Sequence, residues 1–476
     1  MGSIEQTPTA GHRCRRVLFF PLPFQGHINP MFQLAALLHS RGFAVTVFHT
    51  HLNAPDASLH PDYDFIPVPD GGAPADTPGT VQVTLERVLA VNRACAAPFR
   101  DRLAALLEQQ HDSDGVACLV ADAHLLTLLD VARELGVPTL VLRTGSAACF
   151  RIFTAFPMLC ANGYQPAEES PELLEAPVRE LPPYRVRDLL STTAAAHPVM
   201  AEAVTRIIKA VAASSGLIFN TFDALEHAEL AALRRDLAVP VFDVGPLHLL
   251  SPPPPAAAAS RTSSLLPPDR GCLEWLDAQA PASVLYVSFG SIATMSASDL
   301  VEAAWGIAGS GQPFLWVLRP GLVRGGALPS PPPLPEGFDV ATRGRGAVVA
   351  WAPQEEVLAH AAVGAFWTHC GWNSTLEAAC AGVPMLCRPC FGDQMGNARY
   401  VDHVWRVGVE LDGGELERGK VAAAIAAVMG DVGETTDTGG MRRRALELRR
   451  RAAESVAEGG SSSFNVDRLV DHIMAL

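Results

Sequence analysis

Short apolar runs alternate along the whole chain with stretches that carry apolar residues at helical spacing. Arg16-Val-Leu-Phe-Phe20 is the first run. A turn-rich segment follows, then residues 30–40 place Met31, Leu34, Ala35 and Leu38 on one face, which predicts a helix there. Arg41-Gly42 closes that helix with a glycine at its carboxyl end, and Phe43 to Phe48 reads as the next strand. The second half opens in the same way. Ser283 to Ser288 is a strand, Phe289-Gly290-Ser291 a tight loop, Leu300 to Ala308 a helix and Pro313 to Leu318 another strand. Further buried strands are expected at Val116 to Val120 (ending at Asp122), Pro138 to Leu142, Leu217 to Phe219, Ala347 to Ala350, Ala365 to Thr368 and Pro384 to Leu386. One β-α-β start in each half predicts an α/β protein of two doubly wound, Rossmann-like domains. Ligands of such sheets sit at the carboxyl ends of the strands, so a cleft between the domains is the expected site.

The tract Ser251-Pro-Pro-Pro-Pro-Ala-Ala-Ala-Ala-Ser260, with Pro267-Pro268 beyond it, cannot build a packed element and reads as a linker. It divides the chain into a first domain at 1–248, a connection at 249–270 and a second domain at 271–476, with a last helix at about 460–476 expected to pack back on the first domain. Gly321 to Gly337 and Gly430 to Gly440 read as surface loops. The 476 residues are 49% hydrophobic and 18% charged, enough for large cores and too apolar for a disordered chain. A formal charge of −14 argues against nucleic-acid and anionic-lipid partners. No run reaches the roughly 18 apolar residues of a membrane span, and Pro21 and Pro23 cut short the run Val17 to Phe20, so a cytoplasmic protein is expected. The ten cysteines are scattered, as reduced thiols are; Cys387-x-x-Cys390 stands alone and reads as two loop or core thiols.

Several signatures are absent or incomplete. No G-x-G-x-x-G follows a strand, which weakens a nicotinamide or flavin reading. Gly414 to Lys420 matches a phosphate-binding loop for seven positions, but Val421 takes the place of the hydroxyl residue that would reach magnesium. Asp62-Tyr-Asp64 and Asp112-Ser-Asp114 read as solvated turns, His49 and His51 lack a third ligand, and no metal site is expected. His369-Cys-Gly-Trp-Asn-Ser-Thr-Leu-Glu377 is different, because it follows a buried strand and opens a helix. Gly371 permits close approach of backbone to a ligand. Asn373 and Ser374 lie at a helix start, where free N–H groups and the helix dipole attract anions, and His369 adds a ring donor. Glu377 shares that face one turn on. A diphosphate suits the helix start and a ribose diol the carboxylate; the alternative is an ordinary capped helix beside a coincidental histidine. Phe24-Gln-Gly-His27 sits in the first strand-to-helix loop. A histidine there is poised near neutral pH, at about 6.5 when unperturbed. Asp122, at the end of another strand, can fix its tautomer and leave the other ring nitrogen as a base.

Trp351-Ala-Pro-Gln354 through His369-Cys-Gly-Trp-Asn-Ser to Asp393-Gln394 resembles the signature box of plant secondary-product UDP-glycosyltransferases, family 1 enzymes of the GT-B fold. Phe24-Gln-Gly-His27-Ile-Asn-Pro30, Ser288-Phe-Gly-Ser291 and Glu458-Gly-Gly-Ser-Ser462 resemble that family too, so the likeness spans nearly the whole chain. The resemblance implies that Trp351 stacks on uracil and that the Ala352 backbone bonds its edge. Gln354 and Glu377 would hold the ribose, and His369, Asn373, Ser374 and Ser291 the diphosphate. Trp372, Asp393 and Gln394 would contact the sugar, with Thr144 reaching in from the other domain. His27 would be the general base and Asp122 its partner. Gln394 and Trp372 go with glucose donors in the family, so UDP-glucose is the expected donor, with no cofactor beyond it and a monomer as the working form. Arg388 stands where many members have tryptophan. The implied reaction is inverting transfer of glucose to a hydroxyl of a small lipophilic metabolite: a phenolic, a hydroxamate, a hormone, or a terpenoid or its glycoside. Phe24, Phe150, Phe153, Phe156, Met158 and Met200 are candidates for the acceptor pocket, although each suits a core equally well. A UDP-sugar-binding protein without catalysis is disfavoured by the retained His27 and Asp122. A UDP-sugar epimerase or retaining transferase is disfavoured by the box.

Overall fold

A strand covered on both faces must be apolar at nearly every position, and the runs named above meet that demand except the one at 347–350, which forms an edge strand with Val348 exposed instead of a buried one. The structure is a computed structural model, and it describes residues 15–72, 81–109, 115–166, 171–189, 197–252, 264–325, 331–411, 414–430 and 440–476. In the first domain the strands are β1 (Arg16–Phe20), β2 (Ala44–Thr50), β3 (Asp64–Val68), β4 (Val116–Asp122), β5 (Thr139–Arg143), β6 (Gly216–Phe219) and β7 (Val241–Asp243). They form one parallel sheet in the order β3-β2-β1-β4-β5-β6-β7. In the second domain β8 (Val284–Ser288), β9 (Phe314–Val317), β10 (Gly346–Val349), β11 (Val363–Thr368), β12 (Met385–Cys387) and β13 (Gly408–Glu410) form a second parallel sheet, in the order β10-β9-β8-β11-β12-β13. The two-domain α/β reading therefore holds. Three short strands at sheet edges, β3, β7 and β13, lie outside the sequence reading. β3 carries Pro67, which an edge strand tolerates. Its first residue, Asp64, pairs with Arg16 instead of turning in solvent.

The strand order reverses between β1 and β4 in the first sheet and between β8 and β11 in the second. Chain segments leaving those strands diverge and open a crevice. All the candidate chemistry emerges there: His27 after β1, Asp122 at the end of β4, Ser291 after β8 and His369 after β11.

Several polar contacts join the domains around this crevice. The Trp372 indole N–H donates to the Asn220 carbonyl at 2.8 Å, the Ser146 hydroxyl to Asn397 Oδ1 at 2.9 Å, and the Tyr400 hydroxyl to Glu229 Oε1 at 2.6 Å. The last helix, Ser461–Ala475, lies on the first domain: Val466, Leu469 and Ile473 are buried in the same cluster as Val17 and Phe19. Asn465 donates to Asp243 at 2.9 Å, and the His472 ring meets the Ser215 carbonyl at 2.8 Å. The segments 253–263, Asp112 to Asp114 and 431–439, which carry most of the Pro/Ala tract, an acidic pair and a loop named above, fall outside the described residues. Among the described residues no helix is long and apolar enough to cross a membrane.

If the last helix is an integral part of the first domain, Ile473→Ala should lower unfolding stability by about 2–5 kcal/mol, read as a shift in denaturant midpoint. Phe464→Ala, on the exposed face of the same helix, should stay within about 0.5 kcal/mol.

Candidate active site

The helix that carries His27 begins earlier than its hydrophobic spacing indicates. It spans Gln25–Ser40 with Pro30 inside it, so His27 stands in the first helical turn and not in a loop. Proline has no N–H to give the carbonyl four residues back. That carbonyl belongs to Gly26, and it accepts instead from Asn373 Nδ2 at 2.8 Å, across the crevice. The break in the helix ladder thus becomes a contact between the domains, one residue from His27.

Asp122 is fully buried, and its two oxygens are divided between two imidazoles. Oδ2 lies 2.7 Å from His27 Nδ1, and Oδ1 lies 2.8 Å from His124 Nδ1 and accepts the His124 backbone N–H at 2.9 Å. Burial alone would raise the Asp122 pKa; attraction and hydrogen bonding from the two histidines outweigh it and hold the group well below the ordinary carboxylate range. A permanent carboxylate makes each facing Nδ1 a donor. The second nitrogen of His124 accepts from Arg143 Nη1 at 3.1 Å. The Thr144 hydroxyl lies 2.9 Å from His27 Nδ1. His27 Nε2 is then the ring atom left to act as a base. His27, Asp122 and His124 also place three metal-capable groups within 4.8 Å of one another, but Asp122 already accepts from both rings, which is the geometry of a hydrogen-bonded relay.

On the opposite wall, β11 ends at Thr368 and the helix Trp372–Ala381 begins four residues later. The intervening turn wraps the His369 ring. A Cβ at Gly371 would lie 2.5 Å from His369 Nε2, and one at Gly290, whose φ is +65°, would lie 2.5 Å from the same ring. Only glycine fits at either place. Arg319 anchors the Gly290 loop, its Nε donating to the Gly290 carbonyl at 2.7 Å. Burial, helped by Arg319, pushes the His369 pKa down to about 4, so the ring is neutral at physiological pH and still offers one N–H. Gln354 Nε2 donates to Ser374 Oγ at 2.8 Å and to Glu377 Oε2 at 2.7 Å. Burial and the nearby Glu355 hold Glu377 above the usual carboxylate range, against the Gln354 hydrogen bond. The Gln394 side-chain carbonyl is taken by the backbone N–H groups of Cys390, at 2.8 Å, and Phe391, at 3.1 Å, which turns its amide N–H groups toward other partners.

One cleft of about 840 Å³ is bounded by His27, Thr144, Ser291, Trp351, Ala352, Gln354, His369, Gly371, Trp372, Asn373, Ser374, Glu377, Asp393 and Gln394, with Asp122 behind His27. A chain stretch matching the family model described as "UDP-glucoronosyl and UDP-glucosyl transferase" covers residues 258–435. DIMBOA UDP-glucosyltransferase BX8 of Zea mays is 48% identical over 467 residues, covering 96% of this chain and 98% of that one. The chain belongs to the plant family 1 UDP-glycosyltransferases. UDP-glycosyltransferase 76G1 of Stevia rebaudiana is 40% identical over 99% of both chains. Among solved structures, a UDP-glucose: anthocyanidin 3-O-glucosyltransferase in complex with UDP has a TM-score of 0.81 at 26% identity, over 97% of this chain and 99% of that one. UGT2 of Phytolacca americana, complexed with UDP-2fluoro-glucose and pterostilbene, has a TM-score of 0.78 at 28% identity, over 97% and 100%.

The architecture of this UDP-glycosyltransferase refines several sequence expectations. Of the candidate acceptor residues, Phe24, Phe153 and Met200 bound the cleft, whereas Phe150, Phe156 and Met158 do not. Phe150 packs on Phe219 in the core because the helix Ala147–Ala161 turns only one face to the cleft. The Trp372 indole N–H is committed to Asn220 and one Asn373 Nδ2 hydrogen to Gly26, while Asn373 Oδ1 is buried without a partner among the described residues. Arg388 does not bound the cleft; it donates to the Gly414 carbonyl at 2.7 Å. Cys387 and Cys390 are free thiols, and burial pushes Cys390 up to about 11. The sequence reading passed over His124, Arg143 and Arg319. The spacing Asp122-x-His124 at a strand end was the available signal for the first; the two arginines follow strands with nothing local to mark them.

Gly371→Ala should push the His369 ring off its place. We expect UDP affinity to fall by at least about tenfold in titration calorimetry, with the melting temperature changed by only a few degrees.

Proposed function

We propose that this enzyme transfers glucose from UDP-glucose to a hydroxyl of a small lipophilic plant metabolite, with inversion and without a metal ion. The single observation that carries the reading is the His27–Asp122 contact of 2.7 Å on the cleft wall facing the start of the helix Trp372–Ala381. His27 Nε2 takes the acceptor proton as the hydroxyl attacks the anomeric carbon. Asp122 stabilises the imidazolium that forms, and such a base contributes roughly 10²–10⁴ in rate. Attack from the face opposite UDP turns an α-linked donor into a β-glucoside. UDP leaves with growing negative charge on its diphosphate. The helix start, His369 and Ser291 are placed to hold that charge, as a metal ion does elsewhere. Trp351 offers a flat face for uracil, and Gln354 and Glu377 suit the ribose diol. Asp393 and Gln394 suit the sugar hydroxyls, with the free Gln394 amide as a donor.

The same reading takes the enzyme to work as a monomer in the cytoplasm. The relative named as acting on DIMBOA makes that compound the first acceptor to assay, beside phenolics, other hydroxamates and terpenoid glycosides.

Acceptor-dependent UDP release should fall about 10²- to 10⁴-fold in His27→Ala, survive a chelator, and yield a β-linked product by NMR. Full activity in the variant would move the base elsewhere, and loss on chelation would refute the metal-free route.

A further inference from the structure

Arg143, the last residue of β5, is 4% exposed and lies on the cleft wall beside Thr144. Its Nη1 donates to His124, and its Cζ lies 4.6 Å from the centroid of the Phe153 ring. Its Nε is buried with no hydrogen-bond partner, and among the described residues no carboxylate forms an ion pair with it. Asp122 is shared by the two histidines, and Asp393, whose Oδ2 and Arg143 Nη2 would both touch a Cβ placed on Gly145, forms no ion pair with that arginine. Burying a guanidinium without an anion is costly, and one aromatic face recovers only part of that cost. The ring of His124 supplies no negative charge in either protonation state, and both its nitrogens are engaged.

We propose that Arg143 is a specificity residue that binds an anionic or carbonyl oxygen of the acceptor, close to the hydroxyl that receives glucose. The inference rests on the transferase reading and narrows it. Preferred acceptors carry a carboxylate, or a hydroxamate-type or similarly acidic N–O or C–O group, next to the nucleophile, and isolated alcohols are poorer. The guanidinium suits this task because it presents several N–H donors in one plane and keeps its charge at any working pH. His27 and Arg143 both bond toward the same pair, Asp122 and His124, and the His27 and His124 rings are 5.4 Å apart, so one small acceptor can touch base and guanidinium together.

The test is acceptor binding to the UDP-loaded full-length protein, read by calorimetry, so that it does not depend on turnover. The probes are 2-hydroxybenzoate and its near-isosteric neutral analogue 2-isopropylphenol. Wild type should bind the carboxylate more tightly. Arg143→Gln should lose about 10- to 100-fold for it, the range expected of a hydrogen bond to a charged group, and change less than threefold for the neutral phenol. Arg143→Lys should recover part of the loss. Equal losses for both probes would reduce Arg143 to a support for His124 and overturn the proposal, as would no loss for either, or tighter binding of the neutral probe by wild type. Should the binding pattern hold while no acceptor releases UDP, Arg143 remains an anion-binding residue of the cleft, and its link to glucosyl transfer is overturned together with the transferase reading.

Discussion

A single buried carboxylate organises the acceptor side of this enzyme. Asp122 ends β4 at the point where the strand order of the first sheet reverses, and the fold offers it no water. Two imidazoles satisfy it, one through each oxygen. That division fixes the tautomer of both rings. It points the proton of each Nδ1 inward and leaves His27 Nε2 for chemistry and His124 Nε2 for Arg143. The hydrogen bonds converge on Asp122, running in from Arg143 through His124 on one side and from His27 on the other. Removing Asp122 would strand the Nδ1 protons of both imidazoles.

The donor side is built on the opposite principle, small residues drawn close around a ring. Gly290 and Gly371 let two loops from neighbouring strands, β8 and β11, press on His369. Burial keeps that ring neutral, so the attraction for an anion comes from the helix dipole, free N–H groups and the nearby Arg319. The two sides are registered by ordinary hydrogen bonds across the crevice. The contact from Asn373 to Gly26 is the one nearest the chemistry, and it exists because Pro30 cannot use that carbonyl. Together with Trp372 on Asn220 and Ser146 on Asn397, it sets where the base stands relative to the diphosphate site.

The sequence by itself determined the fold class and most of the site. Strands buried on both faces must be continuously apolar, so β1, β4, β8 and β11 are visible as runs, and the residues that follow them are placed by topology alone. His27, Asp122, His369 and Glu377 were legible on those grounds, and the box from Trp351 to Gln394 named the family. Tertiary structure decided what depends on contacts between distant segments. The edge strands β3, β7 and β13 are short and need a neighbour to pair with. The start of the first helix at Gln25 is hidden by Pro30, and the carbonyl it leaves free, that of Gly26, is taken by a residue 347 positions further along the chain. Whether Phe153 or Phe150 faces the cleft depends on how one helix is rotated against the sheet. That Arg143 ends on the cleft wall follows from the meeting of β4 and β5, because a lone arginine closing an apolar run has no local pattern to distinguish it from any surface charge.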